Sequence, residues 1–183
     1  MARFYVAITL GLFVLSLCFD AIYLSGDSRL HALQAMLYGP WGVVMQIYAW
    51  FANPLLGLAI LAHRRWRWLS LLLGFGALYL ALSSLLVERL PNNHSYDFLD
   101  VTGFGPGYYL WLASIGFFCA AQAWWCRQVF KGAPIPGWHL LDGGLAIALN
   151  VAIVYAIQSP ELHFQLKKVI EPPASVQIDK DAI

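Results

Sequence analysis

Charged residues are scarce in this chain: Asp, Glu, Lys and Arg make up 11% of its 183 residues, whereas hydrophobic residues make up 60%. A soluble domain usually carries about a quarter of its residues as charges, which it needs to cover a water-facing surface. The net charge of +1 also leaves no basic face that would collect nucleic-acid phosphates. The composition therefore predicts a membrane protein that is surrounded by the lipid bilayer and has no nucleic-acid partner.

Cysteine is also rare, and its placement excludes several kinds of redox site. Cys18, Cys119 and Cys126 lie in or beside apolar runs and form no Cys-x-x-Cys pair, so a thiol oxidoreductase is disfavoured. The chain lacks His-Glu-x-x-His and Gly-x-Ser-x-Gly, the signatures of common metalloproteases and serine hydrolases. His63 and His139 fall at helix ends, which argues against a haem inside a bundle. We therefore expect no metal and no cofactor.

What the chain has instead is a series of apolar runs of about 20 residues, the helical length that crosses roughly 30 Å of hydrocarbon. We predict an all-α, polytopic membrane bundle of five transmembrane helices over residues 1–157, followed by a tail over 158–183. A short amphipathic helix that ends near Gly39-Pro40 is expected on the membrane surface, and a plain connecting helix is the alternative. The five predicted helices cover residues 4–24, 41–62, 68–87, 108–126 and 139–157.

One cationic segment orients the predicted bundle. Residues 63–68, His-Arg-Arg-Trp-Arg-Trp, join the second and third predicted helices and hold three of the eleven Lys and Arg residues. We call this segment the basic turn. Short cationic turns are hard to translocate, so the basic turn is expected to face the cytoplasm. With five spans, the N-terminus is then cytoplasmic and the C-terminus periplasmic, and a bacterial inner membrane is the expected location.

Polar side chains inside hydrocarbon are costly, so they mark either sites or interhelical bonds. In the predicted register, five of them fall at one depth in the outer third of helices 1 to 4, directly below the loop that follows helix 3. This convergence predicts a polar pocket that opens outward and binds a ligand or a partner, and simple interhelical hydrogen bonding is the alternative. The predicted site comprises Asp20, Gln46, Ser83, Ser84 and Ser114 from the helices and His94, Asp97 and Asp100 from the loop.

Two further features are predicted to be structural. Asn53-Pro54 falls near the middle of the second predicted helix, where a proline removes a backbone donor and a kink is expected. Asn53 is also at the right depth to bond with Asn150 across helices 2 and 5. The second feature is a glycine-rich stretch before the fourth helix, which is expected to need unusual backbone angles. Its members are Gly103, Gly105, Pro106 and Gly107.

Three classes of function fit these observations. We favour a non-catalytic protein that binds another membrane or periplasmic protein through its outer face, as an accessory or assembly subunit or an immunity-type inhibitor. The alternatives are a small oligomeric transporter or channel component that uses the outer-third polar cluster, and a membrane enzyme that acts on a lipid-like substrate with His94, Asp97 and Asp100. A metal site built from His31, His94 and His163 is disfavoured, because these residues lack ligand spacing.

Overall fold

The computed structural model describes residues 4–26, 28–91, 98–132 and Val151. These residues form five α-helices, a four-stranded antiparallel sheet and three short 3-10 segments. The helices are α1 Tyr5–Ser16, α2 Ala32–Tyr38, α3 Ala52–Ala62, α4 Arg67–Ser83 and α5 Pro106–Phe130. The strands are β1 Asp20–Leu24, β2 Arg29–His31, β3 Arg89–Pro91 and β4 Phe98–Phe104. The 3-10 segments are Gly39–Met45, Ala49–Phe51 and Ser84–Leu86.

The expected all-α bundle of five transmembrane helices is wrong. The chain contains a sheet in the order β2-β1-β4-β3, and among the described residues only Arg67–Leu86 forms a helix long and apolar enough to cross a membrane. This 20-residue span corresponds to the third predicted helix and comprises α4 with the 3-10 turn that follows it. At about 1.5 Å per residue it is about 30 Å long, which is the thickness of a hydrocarbon core.

The first two predicted spans are shorter than expected, because strand and 3-10 structure replaces part of each. The first helix ends at Ser16, and the chain continues as β1. The second, predicted over 41–62, begins as a 3-10 turn, and its α-helix starts at Ala52 and has only 11 residues. The fourth predicted helix is present as α5, whose 25 residues do not meet the hydropathy expected of a span. The fifth, at 139–157, lies outside the described residues except for Val151.

The sheet joins two hairpins that are far apart in the sequence. β1 pairs antiparallel with β2, β3 pairs antiparallel with β4, and β1 and β4 pair in the centre with Ile22 opposite Phe104. Gly26 in the first hairpin has a φ of +73°, a conformation that favours glycine. Because β1 follows α1, β3 follows α4 and β4 precedes α5, these three helices meet the sheet at one end of the molecule.

The helices pack closely through small residues. α3 packs against α4, and α5 packs against both α1 and α4. Phe118 of α5 is fully buried in the centre, where an added methyl group on Gly74 of α4 would lie 3.2 Å from its ring. Small side chains at the contact let the helix backbones approach, as ridge-and-groove packing requires. The fully buried alanines of α3 and α4 are Ala52, Ala59, Ala77 and Ala81.

Candidate functional site

Asp20 begins β1 at the point where the sheet meets α1. Its Oδ1 lies 3.3 Å from Nε2 of His31, and its Oδ2 lies 3.6 Å from the guanidinium of Arg29. The strand register explains this arrangement, because Asp20 pairs with His31 across the first hairpin. Arg29 also lies over the ring of Tyr23, with its guanidinium carbon 5.8 Å from the ring centroid. The carboxylate therefore links β1 to β2 by contacts with two residues of the neighbouring strand.

The three serines of the predicted pocket are bonded within their own helices. Ser83, Ser84 and Ser114 each donate a hydrogen bond from Oγ to the carbonyl three residues earlier, at 2.7, 2.6 and 2.7 Å respectively. The Oγ of Ser84 also lies 3.2 Å from the hydroxyl of Tyr108. Burial raises the pKa of Tyr108, and the hydrogen bond with Ser84 opposes that rise. Local bonds to the backbone of this kind are typical of serine in helices.

The remaining members of the predicted site do not join these serines. Gln46 is exposed and ends the first 3-10 segment with a φ of +61°. Asp100 lies on β4, where its Oδ1 accepts a hydrogen bond of 3.0 Å from Nε of Arg89, and both side chains are exposed. His94 and Asp97 lie outside the described residues. The predicted residues that the structure describes are therefore distributed over two hairpins, a turn, α4 with the 3-10 segment that follows it, and α5.

The glycine-rich stretch lets α5 begin directly against the end of α1 and the start of β1. A methyl group on Gly105 would lie 2.3 Å from the carbonyl oxygen of Asp20, and one on Gly107 would lie 2.8 Å from the nearest carbonyl oxygen. Close approach, rather than an unusual angle, explains these glycines, since the φ of Gly105 is −92°. Pro106 takes the first position of α5, where its missing N–H is not needed, and Gly103 lies in β4.

Asn53 and Pro54 lie in the first turn of α3 rather than in the middle of a longer helix. Proline is tolerated there, because the first N–H groups of a helix have no partner within it. Oδ1 of Asn53 accepts a hydrogen bond of 2.8 Å from Nε1 of Trp111 and so joins α3 to α5. Asn150, the partner predicted for Asn53, lies outside the described residues.

Sequence reasoning missed a group of exposed apolar side chains near the sheet. Residues 41–62 form one apolar run in the sequence, and this run predicts a membrane helix from its first residue rather than a turn. In the structure this part of the chain follows α2 and presents four large side chains, between 49% and 74% exposed. We call them the aromatic patch, and its members are Tyr38, Trp41, Val44 and Tyr48.

Trp50 contacts the backbone of the segment that carries the aromatic patch. Its Nε1 donates a hydrogen bond of 2.8 Å to the carbonyl of Met36 in α2. Its ring lies so close to Gly39 that an added methyl group would be 1.9 Å from it. The chain between α2 and α3 is therefore fixed by one close packing contact and one hydrogen bond. The patch has a defined shape as a result.

These contacts define the class of the molecule: a mixed helix-and-sheet protein with one candidate membrane span in its described residues. No family model, no curated protein and no solved structure matches the chain.

Proposed function

We propose that this protein is non-catalytic and binds a protein partner, located in or beside the membrane, through the face that carries the sheet and the aromatic patch. The observation that carries the proposal is the exposure of the patch. Trp41 and Val44 expose 74% and 73% of their surfaces. Tryptophan and tyrosine are enriched among the residues that contribute most to protein–protein affinity. A partner that covers them removes a large apolar area from water.

The support of the patch favours tight binding. Trp50 fixes the backbone beneath it through Gly39 and Met36, so a partner does not have to order this segment on binding. Pre-organisation of this kind lowers the entropic cost of association. The sheet, which α2 connects to this segment, carries charged side chains that are themselves held in pairs across the strands, namely Asp20 with Arg29 and Arg89 with Asp100. Charged groups at the rim of an interface favour the correct partner and orientation.

The contacts of the candidate polar groups support a non-catalytic role. The carboxylate of Asp20 is used in contacts across the first hairpin. The hydroxyls of Ser83, Ser84 and Ser114 donate to backbone carbonyls of their own helices. A serine nucleophile needs a general base at hydrogen-bond distance, whereas these hydroxyls donate to carbonyls of the backbone. The bonds that these groups make instead stabilise the fold.

We also propose a location in a bacterial inner membrane, with the basic turn and the N-terminus cytoplasmic and the sheet periplasmic. β1 precedes α4 and β4 follows it, yet the two strands pair in one sheet. Both strands therefore lie at the Ser83 end of α4, and the basic turn lies at its Arg67 end. The ring of Tyr5 lies 6.1 Å from that of His63, so the start of α1 is at the same end as the basic turn.

Capture of the partner tests the binding proposal. The full chain, extracted in a mild non-ionic detergent, is used to isolate a stoichiometric partner, which mass spectrometry identifies. The partner is then purified, and its affinity is measured for the wild type and for a Trp41→Ser/Val44→Ser variant. We expect the variant to bind at least about tenfold more weakly, since hot-spot truncations cost about 2 kcal/mol or more.

The matched control removes the same kind of surface elsewhere. Leu58→Ser/Leu61→Ser changes two exposed apolar residues of α3, which are 53% and 80% exposed. This variant is expected to bind the partner as the wild type does. Equal weakening by both variants, or undiminished binding by the patch variant, would show that the patch is not the interface.

Accessibility of engineered cysteines tests the location separately. Ser28→Cys lies beside the first hairpin and Arg65→Cys lies in the basic turn, and both positions are exposed. We expect a membrane-impermeant maleimide to label Ser28→Cys in cells with a permeabilised outer membrane. Arg65→Cys should react only after the inner membrane is opened. The proposed orientation fails if both cysteines react equally before that step.

A further inference from the structure

The basic turn lies at the end of α4 that is remote from the sheet. Arg64, Arg65, Trp66 and Trp68 are exposed there, and residues 65–69 line an open concavity of about 570 Å³. The sequence contains no Asp or Glu from residue 28 to residue 87. Within the described part of the chain, no ion pair joins Arg64 or Arg65 to an acidic side chain. The turn therefore presents positive charge that no acidic side chain of the described residues neutralises.

A buried amide holds the backbone of the turn from inside. Nε2 of Gln122, a fully buried residue of α5, donates hydrogen bonds of 3.1 Å to the carbonyl of Arg67 and 3.5 Å to that of His63. Oε1 of the same side chain accepts a hydrogen bond from the hydroxyl of Tyr5. One residue thus ties the turn to α1 and α5. The exposed arginines consequently extend from a backbone that is already in place.

Arg67 is set apart from the other two arginines. Its guanidinium carbon lies 5.4 Å from the ring centroid of Trp125, a distance typical of a cation–π contact. Its carbonyl is also 3.8 Å from Sγ of Cys126. These contacts make Arg67 part of the packing between α4 and α5. Arg64 and Arg65 remain as the two guanidinium groups available to a ligand.

α4 continues from the turn as an exposed apolar stripe. Its members recur every three or four residues, which places them along one side of the helix. They are between 43% and 74% exposed. A ligand whose charged group binds at the basic turn would therefore find an apolar surface, suited to hydrocarbon chains, directly beside that group. The members of the stripe are Leu72, Phe75, Tyr79 and Leu82.

We propose that the basic turn binds the phosphate of an anionic phospholipid headgroup, with the acyl chains lying along the stripe of α4. The planar guanidinium groups of Arg64 and Arg65 match two phosphate oxygens, and Trp66 and Trp68 are of the residue type that anchors at headgroup level. A free phosphate or a nucleotide would leave the stripe uncovered, whereas a lipid covers the turn and the stripe together. This proposal rests on the proposed membrane location and not on the protein partner.

Lipid binding by the full chain in a non-ionic detergent tests the proposal. The probes are fluorescent phosphatidylglycerol and fluorescent phosphatidylcholine with identical acyl chains. We expect the wild type to bind phosphatidylglycerol clearly more tightly than phosphatidylcholine. In the Arg64→Gln/Arg65→Gln variant, the affinity for phosphatidylglycerol should fall by about fivefold for each arginine removed. The preference should weaken as salt is raised, because exposed charges are screened. Since no bilayer is present, the result does not depend on which side of a membrane the turn occupies.

The control variant removes two arginines at the other end of the molecule. Arg29→Gln/Arg89→Gln lowers the net charge equally, and both side chains are largely exposed. It should keep the full preference for phosphatidylglycerol, and all variants should unfold at the wild-type temperature. Equal affinity of the wild type for the two lipids overturns the proposal, as does an equal loss in the control. Displacement of the lipid by millimolar inorganic phosphate would identify a free-phosphate site instead and would also overturn it.

Discussion

Nε1 of Trp111 donates a hydrogen bond of 2.8 Å to Oδ1 of Asn53, and this bond joins α5 to the first turn of α3. Both side chains are partly buried. The asparagine thus bonds to an indole across the helix interface, and its position in the first turn of α3 orients it toward α5. Loss of this bond would leave a shielded amide oxygen without a partner, which costs more than the bond itself contributes.

Removal of both partners should therefore cost less stability than the two single removals added together. We expect Trp111→Phe to lower the free energy of unfolding by about 1–3 kcal/mol, because Asn53 loses its donor. In Trp111→Phe/Asn53→Leu the loss should be smaller than the sum of the two single losses, since no amide then remains unpaired. Unfolding of the purified chain in detergent, followed by circular dichroism, gives the four values. Strict additivity would mean that the bond contributes nothing.

Two glycines of α5 should respond in opposite ways to the same substitution. A methyl group on Gly107 would lie 2.8–2.9 Å from three carbonyl oxygens, whereas one on Gly116 would meet nothing within 4 Å. We expect Gly107→Ala to destabilise the chain by about 1–3 kcal/mol through overpacking. Gly116→Ala should stabilise it by about 0.5–1 kcal/mol, because alanine is the better helix former. Thermal unfolding of both variants checks this, and equal effects would refute the close approach of α5 to β1.

The buried amide of Gln122 should be needed to hold the basic turn. Gln122→Leu leaves the hydroxyl of Tyr5 without its acceptor and removes one hydrogen bond to the carbonyl of Arg67, so we expect a loss of about 1–3 kcal/mol in stability. Trypsin should also cut faster after Arg64 and Arg65 in this variant. Gln128→Leu makes the same change at a half-buried position of the same helix. A cleavage rate that is equal in the two variants would contradict the role of Gln122.

The native thiols should react slowly with maleimide. Cys18, Cys119 and Cys126 are all buried, and burial raises the pKa of Cys18 above its ordinary value. A raised pKa lowers the fraction of reactive thiolate at any pH below it, so the rate at pH 8 falls along with access. We expect full labelling only after denaturation in sodium dodecyl sulfate, whereas an exposed Ser28→Cys should react at once. Rapid labelling of the three native thiols in the folded chain would contradict the packing described above.

Local features of the chain could be predicted because their signals are local. The apolar run of α4 and the end of α2 beside Gly39-Pro40 correspond to residue patterns within a few positions, and α5 begins at Pro106, two residues before the predicted start at Tyr108. The predicted polar pocket could not be tested by such patterns. Whether the hydroxyls of Ser83 and Ser114 point to a common space or to their own helix depends on side-chain rotation and on neighbouring helices.

Hydropathy does not indicate the strands, for a related reason. Hydropathy averages over a window, and a half-buried strand such as β1 adds to the apolar run of α1 without a break in composition. Alternation in Phe98–Phe104 and the Ser-Gly turn after Leu24 are the signals that would have indicated hairpins. Neither signal indicates which strands pair with each other. Pairing of β1 with β4 depends on two segments that meet only when α1, α4 and α5 have packed.

By itself, the sequence determined the apolar character of the chain, the 20-residue span Arg67–Leu86 and the position of the basic turn beside it. These follow from composition and order along the chain, which no later folding step changes. Only the tertiary structure decided that Asp20 bonds to His31, that Gln122 supports the turn and that the aromatic patch is exposed. Each of these depends on distances between residues remote in sequence, which are set by packing.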